Sequence, residues 1–342
     1  MNADPSANAR LDAAASLAHA MKDDAPAPLG KATARTTEVA QPADLDAGPV
    51  LVIDIGGTNV KFGYTIGGRV STYRKLVSSH ALKTGDAVAA LAAMIDSAIR
   101  EQGSRPHAIV AAIPGYIDTD LDHVLTAPNV AGLEGRRLAT DLAKLVGCPV
   151  YLERDSVLAL MGEVHSGAAQ GCDSVMGLYF GTGVGGAYLH DSQPFRGSGW
   201  ALEIGRMPFM SEGRCLPGLR EDCLEAYASG RALQVIADKY GMPIGEAFRI
   251  GPSDPLIQAD LDQFVLYQAL AVGVGIAMMS PSTIVLGGGV LEMADYPRER
   301  LRALVERHSP IAETRRALDL RWCHHGWAAV LHGAHAIVAK RR

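Results

Sequence analysis

The sequence predicts an α/β protein of two similar lobes around a shared cleft. A device of buried strand, glycine turn and returning strand occurs twice, at Gly56-Gly57-Thr58 and at Gly181-Thr182-Gly183, a weak internal duplication. Apolar strands and helical segments alternate after each copy. The 342 residues are long for one compact domain and comfortable for two.

Residues 1–48 stand apart. The segment has no Phe, Trp or Tyr, fifteen alanines, and Pro5, Pro26, Pro28 and Pro42. So little apolar surface does not offset the entropy of ordering a chain, and a disordered tail is expected, with one marginal helix over Asp12 to Met21. It is too acidic for a transit peptide, lacks the apolar region of a secretory signal, and has too few hydrophobes for a helix-turn-helix.

The core starts at Val50. Val50 to Ile55 is an apolar run with one charge, Asp54, and predicts a buried strand. Gly56-Gly57 turns it, Asn59 to Tyr64 returns, and Gly67-Gly68 leads into a third strand over Arg69 to Leu76. Val88, Leu91, Ile95 and Ile99 give helical spacing to Asp86–Arg100. Ala108 to Ile113 is a strand ended by Pro114-Gly115, and Pro149 to Leu152 is the next. The second half begins with a strand over Ser174 to Phe180, its glycine turn, and a return over Val184 to His190. Helices are predicted over Leu224–Tyr240, Leu261–Met279 and Trp327–Lys340, with a buried strand at Thr283–Leu286 running into Gly287-Gly288-Gly289. The lobes are expected at 49–152 and 153–326, with the last helix, about 327–342, packing back on the first.

Composition removes several function classes. The formal net charge is −5, from 32 Lys+Arg and 37 Asp+Glu, which argues against a general nucleic-acid binder. Five scattered cysteines form no disulfide framework and suit a reducing cytoplasm. No stretch approaches the roughly 20 apolar residues of a membrane helix, so no membrane partner is expected.

The glycine turns carry the chemistry. Successive N–H groups in such turns form anion-binding concavities, and Thr58 and Thr182 add hydroxyls beside them. Two facing turns suit the β- and γ-phosphates of ATP, and Asp54 suits Mg²⁺ held through water. An ordinary hairpin also favours glycine, so neither turn decides the matter alone. There is no G-x-G-x-x-G opening a helix and no Gly-Lys-Ser/Thr P-loop. Asp155, just past a strand end, lies where open α/β sheets bind ligands; a helix N-cap is the competing reading.

Asp54-Ile-Gly-Gly-Thr-Asn-Val-Lys61 resembles the first phosphate motif of the ROK family of sugar kinases, within the actin/hexokinase/Hsp70 superfamily. Gly181-Thr-Gly-Val-Gly-Gly186 resembles the second phosphate motif and Leu286-Gly-Gly-Gly-Val290 the adenosine motif. The resemblance runs from about Val50 to the C-terminus and implies two actin-like (ribonuclease H-like) lobes. It implies an ATP-dependent hexose kinase, with Mg²⁺, that phosphorylates the 6-hydroxyl of an allose- or glucose-like sugar, in a cytoplasmic homodimer. ATP contacts fall on Asp54, Gly56, Gly57, Thr58, Asn59, Lys61, Gly181, Thr182, Gly183, Gly185, Gly287, Gly288 and Gly289. Asp155 takes the place of the catalytic base. Sugar contacts fall on Gly115, Asn129, Arg154, Asp155, Glu203, Arg206 and Glu225; carboxylates suit adjacent hydroxyls.

This chain departs from the family pattern twice. Arg154 precedes the catalytic Asp where most members have Asn, as in the D-allose kinase branch, and either meets sugar hydroxyls, points to solvent or pairs with Glu153. Arg206 replaces the family's zinc-ligating, sugar-touching His, and Cys215 and Cys223 alone do not complete a zinc site, so no structural zinc is expected. Cys323, His324, His325, His332 and His335 are read as surface or satisfied core residues rather than a metal cluster. The resemblance also admits a ROK-type sugar-sensing regulator or an N-acyl amino-sugar kinase.

Overall fold

A computed structural model of the chain describes residues 48–118, 122–127, 129–314 and 316–340. The expected tail, apart from Gly48, and its helix over 12–21 lie outside these residues.

Two five-stranded sheets share one plan. In the first, β1 (Val50–Ile55) is central, antiparallel to β2 (Asn59–Ile66), which pairs β3 (Arg69–Ser78). On its other side β1 is parallel to β4 (Ala108–Ile113), and β4 to β7 (Val150–Arg154). The second sheet repeats this: β8 (Ser174–Phe180) is antiparallel to β9 (Val184–His190), which pairs β10 (Gln193–Pro194). On its other side β8 is parallel to β11 (Thr283–Gly287), and β11 to β12 (Leu320–Trp322). The orders β3-β2-β1-β4-β7 and β10-β9-β8-β11-β12 therefore match place for place, and each glycine turn joins the central strand to its antiparallel neighbour. A small hairpin, β5 (Tyr116–Asp118) with β6 (His123–Thr126), follows β4.

Local signals explain the helices. In α1 (Ala87–Gln102) the Asp86 carboxylate accepts from the N–H groups of Val88 and Ala89, and Gly103 ends the helix in the left-handed conformation. The sequence shows neither α2 (Leu138–Val146) nor α7 (Arg298–His308) clearly, and β12 is too short to read. The helix expected over Leu224–Tyr240 is two helices, α4 (Glu225–Ala228) and α5 (Gly230–Lys239). Ser229 is extended between them and its hydroxyl accepts from Ala232 N–H, so it caps α5 instead of continuing α4.

A second expectation is also overturned. The helix predicted from Leu261 is α6 (Pro255–Met279), 25 residues starting at the Asp254 cap, and it is long and apolar enough to cross a membrane. Its apolar window is 61% buried, among Phe248, Tyr296 and Leu301 of the second core. Core packing gives the same composition as a membrane span.

Between the sheets lie α3 (Asp155–Ser166) and α8 (Ala328–Lys340). Leu158, Met161, Leu331 and Ala334 share one core with Val50 and Val110 of the first sheet and Val175 and Val285 of the second. The helices cross at two glycines. A Cβ on Gly162 would lie 2.0 Å from the Ala329 carbonyl oxygen, and one on Gly333 would lie 1.9 Å from that of Leu158. The backbones thus touch with no side chain between them. Buried Glu163 adds a polar tie, since its carboxylate accepts N–H bonds from Ala168, His324 and His325. Burial alone would raise its pKa, but these bonds outweigh it and hold the group ionised.

The crossing sets an expectation. Gly333→Ala forces the helices apart and costs about 1–3 kcal/mol, read as a lower midpoint in a thermal melt. Gly245→Ala, where a Cβ has open space, is the control and melts as the unmodified protein does. Equal midpoints for both variants would contradict the close crossing.

Candidate functional site

The carboxyl ends of β1, β4 and β7 converge with the second glycine turn. Asp54, the one charge in β1, is fixed by two donors to Oδ2: Lys61 Nζ at 3.1 Å and Trp327 Nε1 at 2.9 Å. Lys61 also lies 5.6 Å from the Trp327 ring centroid, a cation–π distance. The first turn is held by Gly56 N–H to Asn59 O at 2.9 Å and by Ser79, whose hydroxyl donates to Gly57 O at 2.7 Å. Thr58 at its tip is exposed. Asn129 lies against this turn: a Cβ on Gly57 would be 2.8 Å from Asn129 Cβ. Gly115 ends β4 with φ +149°, and a Cβ there would be 2.1 Å from Thr126 O, so the β5–β6 hairpin closes against bare backbone.

The second turn and the third glycine cluster are neighbours. Gly181 N–H donates to Gly183 O at 2.9 Å, and Gly230 N–H, the first amide of α5, donates to Gly181 O at 2.7 Å. The helix break at Ser229 thus ties α5 to the turn. Gly288, φ +100°, packs on Phe180 so closely that a Cβ would be 2.5 Å from its carbonyl, and Val290 N–H donates to Phe180 O at 2.9 Å. Gly181 and Gly289 face open space, and Thr182 is exposed. Gly185 lies against Ser156 at the start of α3, while Gly287 packs on Cys323.

Asp155 is the first residue of α3; Arg154, not Asp155, occupies the N-cap position, and makes no side-chain cap bond. Asp155 Oδ1 accepts Ser156 N–H at 2.7 Å. Part of its surface reaches water, while the protein around it withdraws the rest of its hydration. That burial, with the nearby charge of Asp54, raises its pKa to about 6 against the opposing Ser156 bond and the charges of Arg154 and Lys61.

Glu203 and Glu225 are held by different partners. Arg154 is 2% exposed; its Nη1 donates to Glu203 Oε1 at 2.8 Å and its Nη2 to Gly186 O at 3.1 Å. Burial pushes Glu203 up to about 7, helped by Asp155 and opposed by Arg154 and Arg206. Glu225 opens α4, accepts Val184 N–H at 3.0 Å on Oε2, and lies 3.6 Å from Arg231 Nη1. A Cβ on Gly183 would be 2.7 Å from that same Oε2, so Glu225 sits behind the second turn. Glu153, which the sequence allowed as Arg154's partner, instead accepts from Arg196 Nε at 3.1 Å and from the Arg154 backbone N–H.

The region carrying the altered cysteine pattern is organised by Asp222. Asp222, φ +54°, accepts from Gly213 N–H and Arg214 N–H, each at 2.9 Å, and from the Tyr227 hydroxyl. Cys223 is buried and Cys215 exposed, and all five cysteines are free thiols. Arg206 is half-buried on a one-turn helix, and its carbonyl accepts from Arg220 Nη2 at 2.7 Å. His332 Nδ1 and His325 Nε2 flank Ser166 Oγ at 3.1 and 3.2 Å, and the two rings stack with centroids 4.1 Å apart.

Sequence reasoning missed the aromatic edge of the cleft. Tyr116 and Trp200 have ring centroids 6.2 Å apart, and Trp200 is 48% exposed. Burial raises the Tyr116 hydroxyl, which also feels Glu203 and Arg206. The Trp in the glycine-bearing run Gly197-Ser198-Gly199-Trp200 is the signal that could have found it. Trp327 and Arg231, which fix Asp54 and Glu225, carry no local signal.

The model of the ROK family matches residues 50–341. The chain belongs to the ROK family. It is 27% identical to the N-acetyl-D-glucosamine kinase of Escherichia coli O157:H7 over 299 residues, 82% of this chain and 96% of that one. The ROK hexokinase of Thermus thermophilus superposes with TM-score 0.71 at 29% identity, covering 86% of this chain and all of that one. The ROK glucokinase of Streptomyces griseus, solved with glucose and AMPPNP, gives TM-score 0.73 at 26% identity, with 86% of this chain and all of that one covered.

The coupling of the two aspartates is measurable. The Asp155 carboxyl is expected to titrate near pH 6 by ¹³C NMR, and Asp54→Asn lowers that midpoint because a like charge is gone. A midpoint unmoved by the substitution would contradict their proximity.

Proposed function

We propose that this ROK chain is an ATP-dependent sugar kinase that transfers the γ-phosphoryl group to a hexose hydroxyl, the 6-hydroxyl of an allose- or glucose-like ring. The observation that carries the reading is Asp155. It opens α3 in the cleft, is raised to about 6 by burial and by Asp54, and shares its field with Lys61 and Glu203. A carboxylate poised there accepts the sugar hydroxyl proton as the oxygen bonds to phosphorus and ADP leaves.

The glycine elements fit a nucleotide because their faces are open. Gly181 and Gly289 have nothing before them within 4 Å, and Thr58 and Thr182 present hydroxyls beside backbone amides. We assign the phosphates to Gly56, Gly57, Thr58, Asn59 and Lys61 on one side and to Gly181, Thr182, Gly183 and Gly185 on the other. Gly287, Gly288 and Gly289 go to the adenosine. Asp54 fits Mg²⁺ held through water, since it is a single, rigidly held carboxylate and Mg²⁺ keeps most of its hydration. Bound with the nucleotide, the ion neutralises charge on the phosphates.

On the acceptor side we assign Glu203, Glu225, Asn129, Gly115 and Arg206 to the sugar, beside Tyr116 and Trp200. The relative named for N-acetyl-D-glucosamine favours an N-acylated acceptor as the second reading. Five free thiols suit the reducing cytoplasm we assign to the enzyme.

The test is ADP release with Mg²⁺-ATP and a panel of glucose, allose and N-acetylglucosamine. At least one sugar is expected to drive turnover. Asp155→Asn is expected to lower kcat by roughly a hundredfold or more while ATP binding stays. Because the base works as carboxylate, kcat falls as pH drops through about 6. No sugar-dependent turnover, or an Asp155→Asn variant as fast as the parent, would overturn the reading.

A further inference from the structure

We propose that Arg154 is a positioning residue that acts through Glu203 and does not meet the acceptor. For its activity readouts the proposal rests on the sugar-kinase reading above.

Arg154 ends β7, pairs with Ile113 of β4, and is 2% exposed. Its fork spans two partners in the second lobe: the Glu203 carboxylate at 2.8 Å and the Gly186 carbonyl of β9 at 3.1 Å. Ser156 Oγ donates to the same carbonyl at 3.1 Å, which fixes it from the other side. A planar fork makes both contacts at once; a lysine reaches one. Arg154 thus links the end of β7, one residue before Asp155, to Glu203 and to β9.

Glu203 needs that link. Its side chain is 20% exposed and lies next to Asp155. The groups facing it are Arg154 beneath it, Asp155 from α3, Arg206 from its own one-turn helix, and Tyr116 from the β5–β6 hairpin. Two neighbouring carboxylates raise each other's proton affinity, and a cation beside one of them opposes the rise. A protonated Glu203 loses an acceptor and no longer takes two sugar hydroxyls. Arg154 pulls the Glu203 carboxyl back down against its burial and commits Oε1, leaving Oε2 for the ligand. A short polar side chain at position 154 leaves the Glu203–Gly186 bridge unmade.

The experiment compares Arg154→Gln, Arg154→Lys, Glu203→Gln and the Arg154→Gln/Glu203→Gln double variant. Arg154→Gln is expected to raise the sugar KM roughly ten- to hundredfold at pH 7, with a smaller fall in kcat. Raising the pH to 9 recovers part of that loss, because Glu203 then ionises without help. Arg154→Lys, which keeps the charge, is expected to lie between the parent and Arg154→Gln. The double variant binds sugar no worse than Glu203→Gln alone, since without the carboxylate Arg154 has nothing to position. A further loss in the double variant, or a KM defect that ignores pH, would overturn the proposal and place Arg154 on the sugar.

If Arg154→Gln fails to fold, the comparison of Glu203→Gln with the double variant still decides, because Arg154 keeps the Gly186 carbonyl and a glutamine carbonyl as acceptors in the one and neither charge of the pair remains in the other. The ¹³C midpoint of Glu203 in the sugar-free protein is the activity-independent readout. It rises in Arg154→Gln; an unmoved midpoint overturns the proposal even where the kinase reading stands. A raised midpoint in a protein that phosphorylates no sugar leaves this proposal intact and overturns the kinase reading.

Discussion

Backbone contact between α3 and α8 at Gly162 and Gly333 is the constraint on which the site depends. The helices lie in the core shared by both sheets, and α3 begins with Asp155. The same contact that joins the lobes therefore sets where the carboxylate stands between them. Glu163, one residue after Gly162, binds the loop ahead of α8 through the amides of His324 and His325 and the turn after α3 through that of Ala168, so α3 is held at its end as well as at the crossing.

Around that fixed point the cleft is an electrostatic arrangement. Asp155 neighbours both Asp54 and Glu203; each of those two is paired with a cation, Lys61 on Asp54 and Arg154 on Glu203, and Asp155 is left between them. Asp155 makes no ion pair among the described residues. Its raised proton affinity follows from that position. A carboxylate locked in a salt bridge is a weak base; one pushed toward neutrality by a like charge is a stronger one.

The repeating plan was legible because strands buried on both faces are continuous apolar runs and turns need glycine. Val50–Ile55, Ala108–Ile113, Ser174–Phe180 and Val184–His190 have the residue limits expected of them. Helix ends set by caps were placed to within a few residues, as at Asp86. The split at Ser229 was missed because a serine inside a helical pattern declares itself as a cap only through the amide it accepts from. The long helix over Pro255–Met279 was underestimated because its polar first turns hid how far the apolar stretch extends. In the candidate site, the signals legible in the sequence were glycines and strand ends. The pairings that hold the site from afar were not legible: Trp327 reaches Asp54 across 273 residues, and Arg154, itself singled out from sequence, reaches Glu203 across 49. Such partners are set by packing of the lobes, which leaves no local pattern.

The account as a whole stands on phosphoryl transfer to a sugar's primary hydroxyl in this cleft. ³¹P NMR of the protein incubated with Mg²⁺-ATP and glucose, allose or N-acetylglucosamine tests it most directly. The expected result is a new sugar-phosphate resonance split by the two methylene protons of a 6-phosphate, growing in step with ADP. Release of inorganic phosphate alone, or a phosphate coupled to a single ring proton, would contradict it.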